Sequence, residues 1–330
     1  TNAAYFPNFT AAANLSDHRQ QFGSHWSDGD CYKYLEALAL IYAQNEDEAL
    51  EQELDEKIAI ISQAQEADGY ISTNVQLKDD LERWTFTSNH ELYNMGHLMT
   101  AASVHFRVSQ KRTFLDVAIR LANYLYNTFE PRPPELAHFG WNPSNIMGLI
   151  DLYRVTADKR YLDLAGIFVD MRGSRPGGTD QNQDHITLRR ENKAVGHAVT
   201  GPYPYAGAAD VFSETGDESL FNALLPIWES ATQRRMYITG GIGSHHYGGS
   251  PRHDRVWEAF GLDYDLPNAT GYNETCANIA LAMWSLRMAS LTAEARYSDI
   301  VERVMYNAGI SGVSIDGEYF CYTNPLRWYG

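Results

Sequence analysis

Glu258, Glu274 and Cys276 put two carboxylates and a thiol into one short stretch. They lie in Val256-Trp257-Glu258-Ala259-Phe260-Gly261, Asp263-Tyr264-Asp265-Leu266-Pro267-Asn268 and Gly271-Tyr272-Asn273-Glu274-Thr275-Cys276. An apolar flank such as Trp257 and Phe260 disfavours the charged form of a carboxyl, and a raised pKa is what a general acid near neutral pH requires. Glu274 and Cys276 stand two apart at the expected start of a helix, where neighbouring side chains can converge on one ion. The aromatic residues around them offer faces that stack on sugar rings through the same terms that bury them in cores. Together these residues suit acid/base chemistry on a carbohydrate beside a soft metal site.

The elements that must position them are helical. A degenerate theme of helical run, short polar turn, aromatic or Leu, Asp or Asn, and second apolar run recurs through the chain. It appears at Phe106-Arg107-Val108-Ser109-Gln110-Lys111 and Tyr153-Arg154-Val155-Thr156-Ala157-Asp158, then at Phe212-Ser213-Glu214-Thr215-Gly216-Asp217 and Leu291-Thr292-Ala293-Glu294. Each reads as the turn of an αα-hairpin. Phe114, Val117, Ala118, Leu121 and Leu125 share one helical face, as do Leu35, Leu38, Ala39 and Tyr42, and Tyr161, Leu164, Ala165 and Phe168. Helix pairs are expected near 31–65, 88–128, 142–172, 195–236 and 272–308, after an irregular segment at 1–30. Units that cannot bury their faces alone must stack or close into a ring. Strand signals are best at Tyr237-Ile238-Thr239 and Gly317-Glu318-Tyr319-Phe320-Cys321-Tyr322. The linkers 173–187 and 239–270 are where a helical ring would carry its binding loops.

Composition narrows the partners. A net charge of −16 over 330 residues argues against nucleic acid, because phosphate contacts need clustered Lys and Arg, and favours a neutral substrate. No apolar run reaches the roughly 18 residues of a membrane span. Cys31, Cys276 and Cys321 form no C-x-x-C pair, so a disulfide scaffold is not expected. The chain opens Thr1-Asn2-Ala3-Ala4 with no initiating Met, which is compatible with a removed leader and export.

Longer motifs add a resemblance. The run from Ile238-Thr239-Gly240-Gly241-Ile242-Gly243-Ser244 through Glu258-Ala259-Phe260-Gly261 and Tyr264-Asp265-Leu266-Pro267-Asn268 to Glu274-Thr275-Cys276-Ala277 resembles the signature of glycoside hydrolase family 127, the β-L-arabinofuranosidase family. His90-Glu91-Leu92-Tyr93-Asn94-Met95-Gly96-His97-Leu98, Val195-Gly196-His197-Ala198-Val199 and Tyr322-Thr323-Asn324-Pro325-Leu326 match further motifs in the same order. The resemblance implies an all-α catalytic domain, an (α/α)6 barrel over 31–330 that is incomplete at its C-terminus and is followed in the family by β-sandwich domains. It also implies a retaining exo-glycosidase acting on terminal β-L-arabinofuranosides or a related plant-glycan furanose, secreted or periplasmic in a bacterium, with the cytoplasm as the alternative.

By the same resemblance Glu258 is the acid/base, Glu274 and Cys276 are zinc ligands, and the nucleophilic Cys is expected beyond Gly330. His97 and His197 line the sugar pocket, Tyr272 binds the sugar or packs, and Asn142 stands where many members have His. The partner is an oligosaccharide or glycan, and a homodimer is left open. Ser244–Arg255 is longer and more basic than the usual connection, so Arg252, Arg255 and the nearby histidines raise an acidic pectin sugar as one alternative. A helical-ring epimerase or isomerase using paired His, and a glycan-binding relative without catalysis, are the others. No Walker, Rossmann, Gly-x-Ser-x-Gly or His-Glu-x-x-His pattern occurs.

Overall fold

The computed structural model describes residues 2–17 and 19–327. In chain order its helices are α1 (Phe6–Ala12), α2 (Ser27–Asn45), α3 (Glu48–Ala64), α4 (Thr73–Gln76), α5 (Glu91–Ser109), α6 (Thr113–Phe129), α7 (Asn145–Thr156), α8 (Lys159–Met171), α9 (Pro202–Thr215), α10 (Glu218–Arg234), α11 (Thr275–Thr292) and α12 (Ala295–Arg303). One antiparallel hairpin, β1 (His245–Gly249) with β2 (Arg255–Ala259), lies between α10 and α11. The expected all-α class holds. The chain divides into two compact units, Thr1–Phe168 and Val169–Gly330.

Four of the hairpin turns share one mechanism. Each first helix ends in Ser or Thr, and the next residue, Gln110, Ala157, Gly216 or Ala293, takes the left-handed conformation that reverses the chain. The hydroxyl of Ser109, Thr156, Thr215 or Thr292 donates back to the carbonyl four residues earlier, while accepting from the N–H two residues ahead. That pair of bonds occupies a carbonyl and an amide that the helix end would leave open. The recurring sequence theme is therefore a cap.

In the first unit α5 is the central element. It packs on α2 and α7, and its buried residues run all round the helix. Glycine sets the spacing there, because a Cβ on Gly148 would overlap the Gly96 carbonyl oxygen and one on Gly96 would strike Ser144 and Asn145. On α6 the face Phe114, Val117, Ala118, Leu121 and Leu125 is fully buried, as its spacing implied. In the second unit α9 packs on α11 and α10, with Tyr205 against Trp284, and Trp228 bonded to Ser285.

Two expectations are corrected. Residues 1–30 are not simply irregular: α1 buries Phe6 and Phe9, and α2 begins at Ser27. A seven-residue helix with Pro7 in its first turn is too short to show a period. Tyr237-Ile238-Thr239 forms a turn rather than a strand, and Gly317–Tyr322 contributes an isolated bridge, Val313 to Phe320. The observed strands include His245-His246-Tyr247-Gly248-Gly249, which has little β-propensity and is held by its surroundings.

The caps yield a stability test. Ala157 and Ala293 carry a Cβ in a backbone region that costs an L-residue roughly 1–2 kcal/mol. Ala157→Gly and Ala293→Gly should each raise the unfolding free energy by about 0.5–1 kcal/mol, part of the relief being offset by the greater freedom of glycine in the unfolded chain. Urea denaturation checks this, and a loss of stability in both variants would contradict the capping account.

Candidate active site

Glu258 sits on β2 with φ +49°, a left-handed conformation inside a strand. The strand is strapped on its other edge. Ala198 N–H donates to the Glu258 carbonyl at 2.8 Å, Phe260 N–H donates to the Gly196 carbonyl at 2.9 Å, and Trp257 N–H donates to Gln181 Oε1 at 2.6 Å. These bonds hold a backbone that costs of order 1–3 kcal/mol elsewhere, and they aim the carboxylate at His197 and Tyr272.

His197 Nε2 lies 2.6 Å from Glu258 Oε2, and the Tyr272 hydroxyl donates to Oε1 at 2.8 Å. Val199 N–H donates to His197 Nδ1 at 3.1 Å, which makes that nitrogen an acceptor and leaves the Nε2 proton pointing at Glu258. Tyr272 is in turn stacked on His246, ring centroids 4.7 Å apart and planes 3° from parallel. Burial works against the ionised form of Glu258. The hydrogen bonds from His197, Tyr272 and Glu274 outweigh it and hold the carboxyl well below its usual range. The expected raised pKa is thus corrected, because Trp257 is an exposed strand neighbour on the other face and does not flank the carboxyl.

Glu274 is the N-cap residue of α11, two before Cys276, and is buried. Its carboxyl is in hydrogen-bonding reach of the Cys276 thiol, the Tyr322 hydroxyl and Glu258. Burial, then the negative charge of Glu258, raise its pKa, so the two carboxyls share one proton. Its Oε2 is buried with no hydrogen-bond partner among the described residues. An open buried oxygen beside a thiol is a donor set that fits a zinc ion, and a cation there would reverse the upward shift. The described residues supply two donors at this point. The Tyr322-Thr323-Asn324 motif is brought in by pairing: Thr275 N–H donates to the Tyr322 carbonyl, Glu274 bridges Thr323, and Asn324 Nδ2 donates to the Asn273 carbonyl and Thr275 Oγ1.

The second unit therefore gathers His197, Glu258, Tyr272, Glu274 and Cys276, whose roles sequence reasoning assigned separately. The structure gives His197 and Tyr272 a direct hold on Glu258. Arg252, raised as a reader of acidic sugars, is committed to Asp180 at 2.5 Å and Glu191 at 2.8 Å, and Arg255 lies over the Tyr247 ring. Tyr322 and Gln181 are contributors that spacing did not reveal. So is a candidate metal-binding group at Asp180, His185 and Asp254, whose ligand atoms lie within 4.8 Å of one another.

His97 and Asn142 belong to the first unit. His97 is buried on α5 against Tyr93, ring centroids 4.6 Å apart, and burial lowers its pKa well below the ordinary value, so the imidazole is neutral. Asn142 takes φ +50° and keeps a buried Oδ1 without a hydrogen-bond partner among the described residues. Glu91, one turn before Met95 on α5, accepts from the Tyr70 hydroxyl at 2.6 Å and from Trp84 N–H at 3.1 Å.

The profile of the β-L-arabinofuranosidase GH127 catalytic domain matches residues 1–330. The chain belongs to this family. It is 34% identical to a non-reducing end β-L-arabinofuranosidase of Bifidobacterium longum subsp. longum, over 96% of the chain and 50% of that protein. The structure of a GH127 β-L-arabinofuranosidase from Geobacillus stearothermophilus T6 matches with TM-score 0.91 and 38% identity, covering 98% of this chain and 53% of that one. A second GH127 β-arabinofuranosidase structure gives 0.88 and 37%, over 98% and 51%. The chain thus spans about half the length of these GH127 relatives. A cellobiose 2-epimerase from Bacillus thermoamylovorans, at 10% identity and TM-score 0.57, shares the fold alone, so the epimerase alternative gains no support.

Glu91 gives a pH test away from the metal-binding residues. Burial raises its pKa to about 7, against lowering by Tyr70, Trp84 and Arg83. The protonated form favours the fold. Its contribution is whole below the unfolded value near 4.3 and is lost as pH rises through about 7, amounting to about 4 kcal/mol in this GH127 chain. Relative to Glu91→Gln, the wild type should lose stability between pH 4.5 and 7.5 in urea titrations. Parallel pH profiles for the two proteins would refute it.

Proposed function

We propose that this chain supplies the acid/base and two metal ligands of a retaining exo-glycosidase that removes terminal β-L-arabinofuranosyl groups from plant glycans. The observation carrying the reading is the Glu258 carboxylate clamped between His197 and Tyr272, beside the buried open oxygen of Glu274 and the Cys276 thiol. Membership of GH127 and the printed activities of its relatives support the sugar.

Cleavage of a glycoside needs a proton on the leaving oxygen and later a base for water, and a carboxyl does both in a two-step retaining reaction. Glu258 is oriented for this by one donor on each oxygen. Glu274 and Cys276 would hold zinc, which when bound keeps a thiol as thiolate and offsets the two carboxylates. In this reading the nucleophile is a further cysteine of the same site. A plant-glycan substrate supports a bacterial secreted or periplasmic setting, with the cytoplasm as the alternative.

Glu258→Gln in the full-length enzyme should keep the fold and lower kcat on an ordinary β-L-arabinofuranoside by about 10²–10⁴-fold, since an amide cannot donate or accept the proton. Aryl arabinofuranosides with good leaving groups should lose less. Near-wild-type turnover of an unactivated glycan would exclude Glu258 from the role. The metal is tested separately: the protein should contain about one zinc bound by Glu274 and Cys276, and Glu274→Ala or Cys276→Ala should lower zinc content together with activity. Zinc at wild-type level in both variants would remove them from the metal site.

A further inference from the structure

Behind the strand that carries Glu258 lies a second cluster, formed where the loop 178–185 meets the turn 250–254. Asp180, His185 and Asp254 each offer one ligand atom there, all within 4.8 Å of one another. Asp180 is completely buried. Its Oδ1 takes Arg252 at 2.5 Å, and its Oδ2 has no hydrogen-bond partner among the described residues. An ionised carboxylate oxygen left dry and open costs several kcal/mol unless a cation or donor reaches it. Arg252 is shared with Glu191, at 2.8 Å, and Asp254 forms no ion pair with Lys or Arg among the described residues. The cluster thus keeps an excess of negative charge beside an open oxygen.

We propose that Asp180, His185 and Asp254 bind a first-row divalent cation of the Mn²⁺ or Zn²⁺ class, at a site distinct from Glu274 and Cys276. Two carboxylates and one imidazole are a mixed O,O,N set. Imidazole disfavours Ca²⁺, which takes about 6–8 oxygens, and the absence of thiolate from the set leaves Mn²⁺ competitive. Three ligands about 2.1 Å from a common ion lie about 3.0–3.6 Å from one another, so atoms now within 4.8 Å must draw in by about 1–2 Å at most to share one.

The ion would join two segments that already touch. Asp180 N–H donates to Asp254 Oδ2 at 2.6 Å, and Asp254 closes its own turn through Ser250. The next residue, Gln181, holds Trp257 N–H, and its carbonyl accepts from His197 N–H at 3.3 Å. Cation binding therefore stiffens the support of both Glu258 and His197 from outside the sugar site. The cation is structural, and the inference does not require the proposed substrate.

Metal-stripped full-length protein, titrated with Mn²⁺ and followed by electron paramagnetic resonance, tests the site. The wild type should bind Mn²⁺ and gain thermal midpoint with it, and Zn²⁺ should displace it. His185→Ala changes an exposed side chain, and Asp254→Asn keeps an oxygen for Asp180 N–H, so both should fold and bind Mn²⁺ at least tenfold more weakly. Cys276→Ser should bind Mn²⁺ like the wild type, which separates this site from the zinc proposal. Absence of Mn²⁺ binding in the wild type, undiminished binding in both cluster variants, or loss with Cys276→Ser would each overturn the assignment.

Discussion

The hold on Glu258 organises the second unit. A carboxylate with a hydrogen-bond donor on each oxygen, mounted on a residue in left-handed conformation, exists only if the surrounding backbone is over-determined. The bonds from Ala198, Phe260 and Trp257 do that, and they draw the loops before α9 onto the edge of β2. His197 then has one ring nitrogen committed to Val199 and the other to Glu258, so its tautomer follows from the fold. Without the strap, neither the strand geometry nor the proton placement would follow.

Glu274 is governed by the same constraint from the other side. As the N-cap of α11 it starts the helix, yet its carboxyl turns toward Glu258, Cys276 and Tyr322 and not back to the helix amides. Two buried carboxyls in reach of one another do not both ionise without a compensating cation, so the pair shares a proton. A metal ion held by Glu274 would keep that carboxyl ionised. The open Oε2 of Glu274 and the open Oδ2 of Asp180 are two instances of one physical signature, a buried carboxyl oxygen with no hydrogen-bond partner among the described residues.

The helical frame supplies rigidity by modest means. The recurring Ser/Thr cap, with a left-handed residue after it, closes four of the hairpins with one backbone solution, only one of which uses glycine. The close approach of α5 to α7 at Gly96 and Gly148 places His97 on a helix packed too tightly to shift. Loops between such hairpins can hold strained residues because the helices beneath them do not yield.

Much of this was legible in the sequence. Helical periodicity gave the hairpins and their buried faces, because a 3.6-residue period depends on neighbours along the chain. Motif spacing gave Glu258, Glu274 and Cys276 as a group, since they sit in one stretch on either side of a helix start. The strands were not legible: the partners that make His245–Gly249 and Arg255–Ala259 pair are each other and Gln181, and propensity carries no record of them. Nor was the ionisation of Glu258, for Trp257 and Phe260 adjoin it in sequence while His197 and Tyr272 adjoin it in space, and a pKa responds to space. Residue types and local periods are written in one dimension; the partners of Glu258, Asp180 and Arg252 lie up to 74 positions away and are chosen only when the chain folds.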